Sequence, residues 1–153
     1  MIARDEADFL KRCLSSLYDL ADEIVVADTG SLDDTRRIAS DAGALVIDVP
    51  WCGDFAQARN ASLRQASGDW ILVMDCDEVL AASDLTRIRR TVSAGGATGY
   101  RMTTRNYSPE ADRVGWTQSG GEYEEENGHP GWFPTTKVRL FRNDPEIRFE
   151  GAL

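Results

Sequence analysis

A chain of 153 residues, 42% hydrophobic and 28% charged, is sized for one globular domain with a single core. Its 17 Lys+Arg against 26 Asp+Glu, a net charge of −9, leave no basic stripe to release counterions from a phosphate backbone, so a nucleic-acid partner is excluded. No stretch reaches the roughly 18 apolar residues of a membrane helix, and MIARDEADFL carries acids where a signal peptide needs bases, so the expectation is a cytoplasmic protein, working in solution or at the inner face of the membrane.

Asp5 is placed to cap a helix over about 6 to 20, on which Phe9, Leu10, Cys13, Leu14 and Leu17 recur at helical spacing. Residues 23–28 (EIVVAD) form a short β-branched run ended by Thr29-Gly30-Ser31, and a helix over 33–42 follows, stopped by Gly43. The same unit repeats: strand 44–49 (ALVIDV) before Pro50, helix 55–66, then strand 70–74 (WILVM). Apolar strands alternating with helices predict an α/β fold with a mostly parallel central sheet and helices on both faces. Ser83 starts a further helix to about Val92, closed by Gly95-Gly96. Residues 99–105 and 137–141 alternate like half-buried strands, and the intervening 106–135, rich in Gly, Pro, Trp and acids, reads as a long loop. Both halves are acidic, so the whole of 1–153 is taken as one domain, with 1–100 the ligand-binding half and 101–153 a partial second half. Cys13, Cys52 and Cys76 fit neither a disulfide framework nor a CxxC site and are read as reduced thiols.

Three constellations could carry chemistry. Asp75-Cys76-Asp77 follows the WILVM run; in an extended chain both carboxylates face one side, at the sheet edge where open α/β sheets bind ligands. Two such charges about 5 Å apart repel by roughly 3 kcal/mol at an effective dielectric of about 20, a cost that a divalent cation removes. The alternative is a solvated acidic turn. Asp28 begins the second constellation, DTGSLDD, where Gly30 permits a sharp turn and Ser31 opens a helix; Asp28 either grips a base or ribose or merely neighbours a helix cap made by Ser31 or Asp33. Arg59 is the third: it falls on the face of its helix that should be buried, so it needs an anion, either a ligand or an acid such as Asp54. His129 and the acidic run Glu122, Glu124, Glu125 and Glu126 lie in the long loop and read as solvent-exposed.

Taken in order, MIARDE, EIVVADTGSLDDT, ARNASL, GDWILVMDCDEVL and KVRLFRNDPEIRFEG resemble the family 2 glycosyltransferases of the GT-A fold, over nearly the whole chain. The resemblance implies transfer of a sugar, with inversion, from a nucleoside-diphosphate sugar to a glycan, lipid or protein acceptor. It places Ala3, Arg4 and Glu6 with Asp28, Gly30 and Ser31 around the nucleotide, Asp28 facing the base and Arg59 directed to the nucleotide. Asp75 and Asp77 become the DxD pair, with Asp77 the direct ligand of a Mn²⁺ or Mg²⁺ bridging the two phosphates. Relatives carry further apolar residues ahead of MIARDE and continue past FEGAL, so the chain reads as truncated at both ends, and Glu150 is the base candidate by elimination. Two other readings compete. A sugar-nucleotide-binding remnant would bind without turnover, and a haloacid-dehalogenase-like phosphotransferase would use Asp75 as nucleophile and Asp77 as general acid.

Overall fold

A computed structural model describes residues 1–112 and 114–151. Strand β1 (Ile2–Ala3), helix α1 (Ala7–Leu17), β2 (Val25–Asp28), α2 (Thr35–Asp41) and β3 (Leu45–Asp48) form the first half. Parallel pairing sets Ile2 opposite Ala27 and Val25 opposite Leu45, in the order β1-β2-β3. Helix α3 (Phe55–Gln65) leads to β4 (Trp70–Leu72), and a 3₁₀ turn at Ala82–Asp84 leads into α4 (Leu85–Ala94). Strands β5 (Gly99–Tyr107), β6 (Thr117–Gln118) and β7 (Gly131–Arg142) complete it, with a second 3₁₀ turn at Glu124–Glu126.

The α/β class and the parallel sheet are as expected, but the parallel part stops at three strands. β4 pairs antiparallel with β7, Ile71 opposite Phe141, giving a second sheet in the order β4-β7-β5 with β6 on β7. The reason lies in β7, whose twelve residues offer one edge to β5 along nearly their whole length and the other to β6 at their start and β4 at their end.

Strand ends correct the predicted loop. β5 runs on to Tyr107 and β7 starts at Gly131, so both ends of 106–135 belong to a long hairpin with Tyr107 opposite Trp132. Its aromatics are already engaged. Trp116 donates its indole N–H to Ser108 O at 2.9 Å, Tyr107 stacks on His129 with ring centroids 4.8 Å apart, and Arg105 lies 4.3 Å from the Tyr123 ring and 4.4 Å from Trp132. The buried Glu126 is ion-paired to Arg105, so the acidic run is not wholly solvated.

Helix α1 buries Leu10, Cys13, Leu14 and Leu17, while Phe9 is 58% exposed because it lies about a quarter of a turn from the centre of that stripe. Asp5 does not cap it. The residue sits at φ 54°, and its carboxylate accepts the Leu32 N–H at 2.7 Å instead. Nor does Ser83 cap α4, whose first turn follows the 3₁₀ segment with Asp84 at the N-cap position; Gly95, at φ 65°, ends the helix. One core cluster joins α1 to β2 through Leu10, Leu14 and Val26. A second joins Leu17 to Met74, Leu80, Ile88 and Leu140 and so ties α1 and α4 to the second sheet. A cavity of about 580 Å³ opens at the starting ends of β2 and β4, lined by Ile24, Val25, Trp70 and Ile71, away from the acids at the other end of these strands.

Candidate active site

Asp28 closes β2 and is 1% exposed. Its Oδ2 accepts the N–H groups of Gly30 and Ser31, each at 3.1 Å, and Arg36 Nη1 at 3.4 Å. Gly30, at φ 105°, lets the chain fold back over the carboxylate. The other oxygen, Oδ1, is buried and has no hydrogen-bond partner among the described residues. Helix capping falls to Asp33, which accepts Thr35 N–H at 2.9 Å and Ala7 N–H at 3.0 Å. The Thr35 hydroxyl, ahead of these backbone bonds, holds the Asp33 carboxyl below the usual range. Around Asp28 the loops after β1 and β2 are laced together: Ala3 O accepts the Thr29 N–H, Ser31 Oγ accepts the Asp5 N–H, and Thr35 Oγ1 accepts the Glu6 N–H. Arg4 lies on the same loop, exposed.

The chain beyond β4 turns where an extended path was expected, with Glu78 N–H bonded to Asp75 O at 3.1 Å. The two carboxylates therefore part. Asp75 points inward: Oδ1 accepts Arg59 Nη2 and Oδ2 accepts Arg139 Nη2, both at 3.0 Å. Burial pushes the Asp75 carboxyl up, but Arg139 and Arg59 outweigh it and hold it below the usual range. Asp77 is exposed, and no ion pair or hydrogen bond ties it to the described residues. Its charge reaches Glu6, whose carboxyl is raised first by burial and then by Asp77, Asp33, Asp5 and Asp75.

Arg59 thus finds its anion in Asp75, while Asp54 caps α3 by accepting Gln57 N–H at 3.1 Å. The Arg59 guanidinium also lies 5.3 Å from the Phe149 ring, and the Asn60 amide grips both backbone groups of Phe149 at 2.9 Å. Glu150 is exposed and paired with Arg148 at 2.8 Å; no contact joins it to Asp75 or Asp77. Cys13 and Cys76 are pushed up to about 12, chiefly by burial, so both are inert thiols inside the core, whereas Cys52 is exposed.

Among the described residues no group of three or more His, Cys, Asp or Glu converges on one point. A self-sufficient protein cage for a metal is therefore not built here. The donor set fits the other mode of Mg²⁺ or Mn²⁺ binding, in which one or two carboxylates are completed by substrate phosphates and water. Three residues escaped the sequence reading: Arg36, Glu78 and Arg139. Arg139 carried no inward signal, because the 137–141 alternation sets it beside Lys137 on the polar face with Val138 and Leu140 on the apolar one, yet Arg139 is buried and Val138 is 56% exposed.

Fold and site together define a GT-A-type α/β domain. The solved glucosyl-3-phosphoglycerate synthase of Mycobacterium tuberculosis in complex with UDP superposes with a TM-score of 0.52 at 27% identity, over 65% of this chain and 40% of that one. The chain belongs to Glycosyl transferase family 2, whose profile matches residues 1–149. It is 38% identical to a TPR repeat-containing protein of Synechococcus elongatus over 151 residues, 98% of this chain and 32% of that protein. It is also 40% identical over 81 residues to an uncharacterized glycosyltransferase of Rickettsia felis, 53% of this chain and 28% of the other. The chain thus spans about a third or less of these curated relatives. Membership in this family removes the phosphotransferase reading, and the pairing of both Asp75 oxygens with guanidinium groups is unlike a free nucleophile. No helix among the described residues is long and apolar enough to cross a membrane.

Proposed function

We propose that this domain binds a nucleoside-diphosphate sugar at the ends of β2 and β4 and passes the sugar, with inversion, to the hydroxyl of a glycan, lipid or protein acceptor. One observation carries the reading: Asp28 Oδ1, buried and unpartnered at the end of a parallel strand. An orphaned buried acceptor costs about 1–3 kcal/mol, which a ligand N–H such as that of a pyrimidine base recovers. Ala3, Arg4, Glu6, Gly30 and Ser31 line the same loops and would enclose the base and ribose. The M. tuberculosis synthase supports this assignment, since it is also solved in complex with Mn²⁺, UDP and glucosyl-3-phosphoglycerate, at a TM-score of 0.52.

Residues 1–100 are then the nucleotide half and 101–153 part of the acceptor half. Asp77, free of other partners, is the residue that would hold a Mn²⁺ or Mg²⁺, with Asp75 beside it. The ion, when bound, neutralises charge on the departing diphosphate. Arg59, 18% exposed, adds positive charge beside the same turn. Glu150 is the candidate acceptor base, and its pair with Arg148 must open for that role.

Calorimetric titration of UDP tests the assignment. Affinity should be at least ten-fold higher in Mn²⁺ than in EDTA, and Asp77→Asn should abolish most of the gain, about 1.4 kcal/mol. Equal affinity in Mn²⁺ and EDTA overturns the metal role; no UDP binding overturns the whole reading.

A further inference from the structure

Arg139 lies on β7, and its side chain is 8% exposed. Its guanidinium meets three successive parts of the turn that follows β4: Val73 O at 3.5 Å from Nη1, Asp75 Oδ2 at 3.0 Å and Glu78 Oε1 at 2.6 Å from Nη2. The backbone adds a fourth tie, Val73 N–H to Arg139 O at 2.7 Å. Glu78, itself bonded to Arg139, adds further ties. Its Oε2 accepts the Asp75 N–H at 2.9 Å, and its Oε1 also takes the Thr104 hydroxyl at 3.2 Å from β5. One buried cation and one nearly buried acid therefore close the 73–78 turn at both ends, and Asp77, in the middle, is the member left facing solvent.

We propose that Arg139, backed by Glu78, is the positioning residue of this site: it clamps the 73–78 turn so that Asp77 is presented outward while Asp75 stays committed to the two guanidinium groups. The proposal rests on the nucleotide reading given above and adds to it a division of labour within the acid pair. Asp75 serves as the internal anchor of the turn, Asp77 as its ligand-facing end, and Arg139 acts through the turn without touching nucleotide or acceptor. A loose turn must be ordered when the diphosphate binds, and that entropy is subtracted from affinity. A turn fixed in advance avoids the loss. Arg139 is suited to the task because its planar fork can hold a carbonyl and two carboxylates at once, which a lysine cannot match.

The test compares the full chain with Arg139→Met, Arg139→Lys and Glu78→Gln. UDP affinity is measured in Mn²⁺ and in EDTA, together with backbone hydrogen exchange at residues 75–78 and the urea midpoint. Arg139→Met should lose at least ten-fold in Mn²⁺-dependent affinity, keep its EDTA affinity within about two-fold, and exchange the Asp75 amide at least ten-fold faster. Arg139→Lys should recover part of both. A merely structural role predicts instead that affinity falls equally in Mn²⁺ and EDTA in step with the urea midpoint, and that outcome overturns the proposal, as does unchanged Mn²⁺-dependent affinity. Where Arg139→Met fails to fold, Glu78→Gln carries the same comparison: it removes the charge that pairs Glu78 with Arg139 while Asp75 keeps its two arginine bonds, so the same selective loss in Mn²⁺ is expected, smaller than for Arg139→Met. Absence of UDP binding by the unmutated chain strikes down the nucleotide reading itself, whereas intact binding in parent and variant alike strikes down only the clamp.

Discussion

Within Asp28 the two carboxylate oxygens have opposite standing: Oδ2 organises the loop through Gly30, Ser31 and Arg36, and Oδ1 is left with nothing. The first role is structural and the second is open to a ligand, so a single substitution should strike both. Asp28→Ala should weaken UDP binding by ten-fold or more while the ratio of affinities in Mn²⁺ and EDTA stays as in the parent. The same variant should lose about 1–3 kcal/mol of stability from the orphaned Gly30 and Ser31 donors. Calorimetry with and without the ion, run beside urea unfolding, separates the two effects; normal UDP affinity would reduce Asp28 to a loop organiser. Asp75 and Asp77 show why residue spacing alone misjudges a site. Two positions apart, they share a face only if the chain is extended, and the bond from Glu78 N–H to Asp75 O replaces that geometry with a turn.

The start of α1 is capped from the neighbouring α2 segment and not by its own residues. Neither α1 nor α2 has a cap bond from its own N-cap side chain, yet Ala7 N–H is served by Asp33 and Glu6 N–H by Thr35, both from the segment that starts α2. Such an exchange fixes the loops after β1 and β2 against each other, and these loops surround Asp28. Thr35 is 0% exposed, and its hydroxyl accepts Glu6 N–H at 2.7 Å. Thr35→Val keeps the shape and removes the acceptor, so it should cost about 1–3 kcal/mol, read as a lowered urea midpoint. No change in that midpoint would mean that water replaces the hydroxyl. At the same scale, β5 and β7 outgrow their sequence signal. Residues such as Asn106 and Pro134 read as loop, but Asn106 Nδ2 bonds Phe133 O at 3.0 Å and Thr135 Oγ1 at 2.8 Å across the hairpin, and that pairing carries the strands onward.

Among the described residues the two sheets are joined by apolar packing through α1 and by polar ties. Leu140 of β7 is 4% exposed and packs in the cluster with Leu17, Met74, Leu80 and Ile88, which come from α1, the turn after β4 and α4. The polar ties run from the turn after β4: Cys76 Sγ donates to Ile2 O of β1 at 3.2 Å and Leu80 N–H to Ser16 Oγ of α1 at 3.1 Å. Leu140→Ala should cost about 2–5 kcal/mol, with the whole chain unfolding in one step, because its cluster ties β7 to α1, which itself packs on the first sheet. Urea curves followed by Trp fluorescence and by far-ultraviolet circular dichroism should shift together. Separate transitions would show instead that the halves are stabilised independently.

Local pattern was enough to determine the α/β class, the four helices to within a turn and the strands at 25–28, 45–48 and 70–72, since each is written in periodicity, and it drew attention to Asp28, Arg59, Asp75 and Asp77 as charged residues at strand ends or on a buried helix face. What only the tertiary structure decided is pairing at a distance. β4 turns to β7, some seventy residues later in the sequence, and that pairing sets Arg139 against Asp75. It therefore decides that Asp75 faces inward and Asp77 outward. Helical and strand periods arise from neighbours along the chain, whereas the partner of a buried charge is selected by which strands close on each other, and no interval in the sequence records that choice.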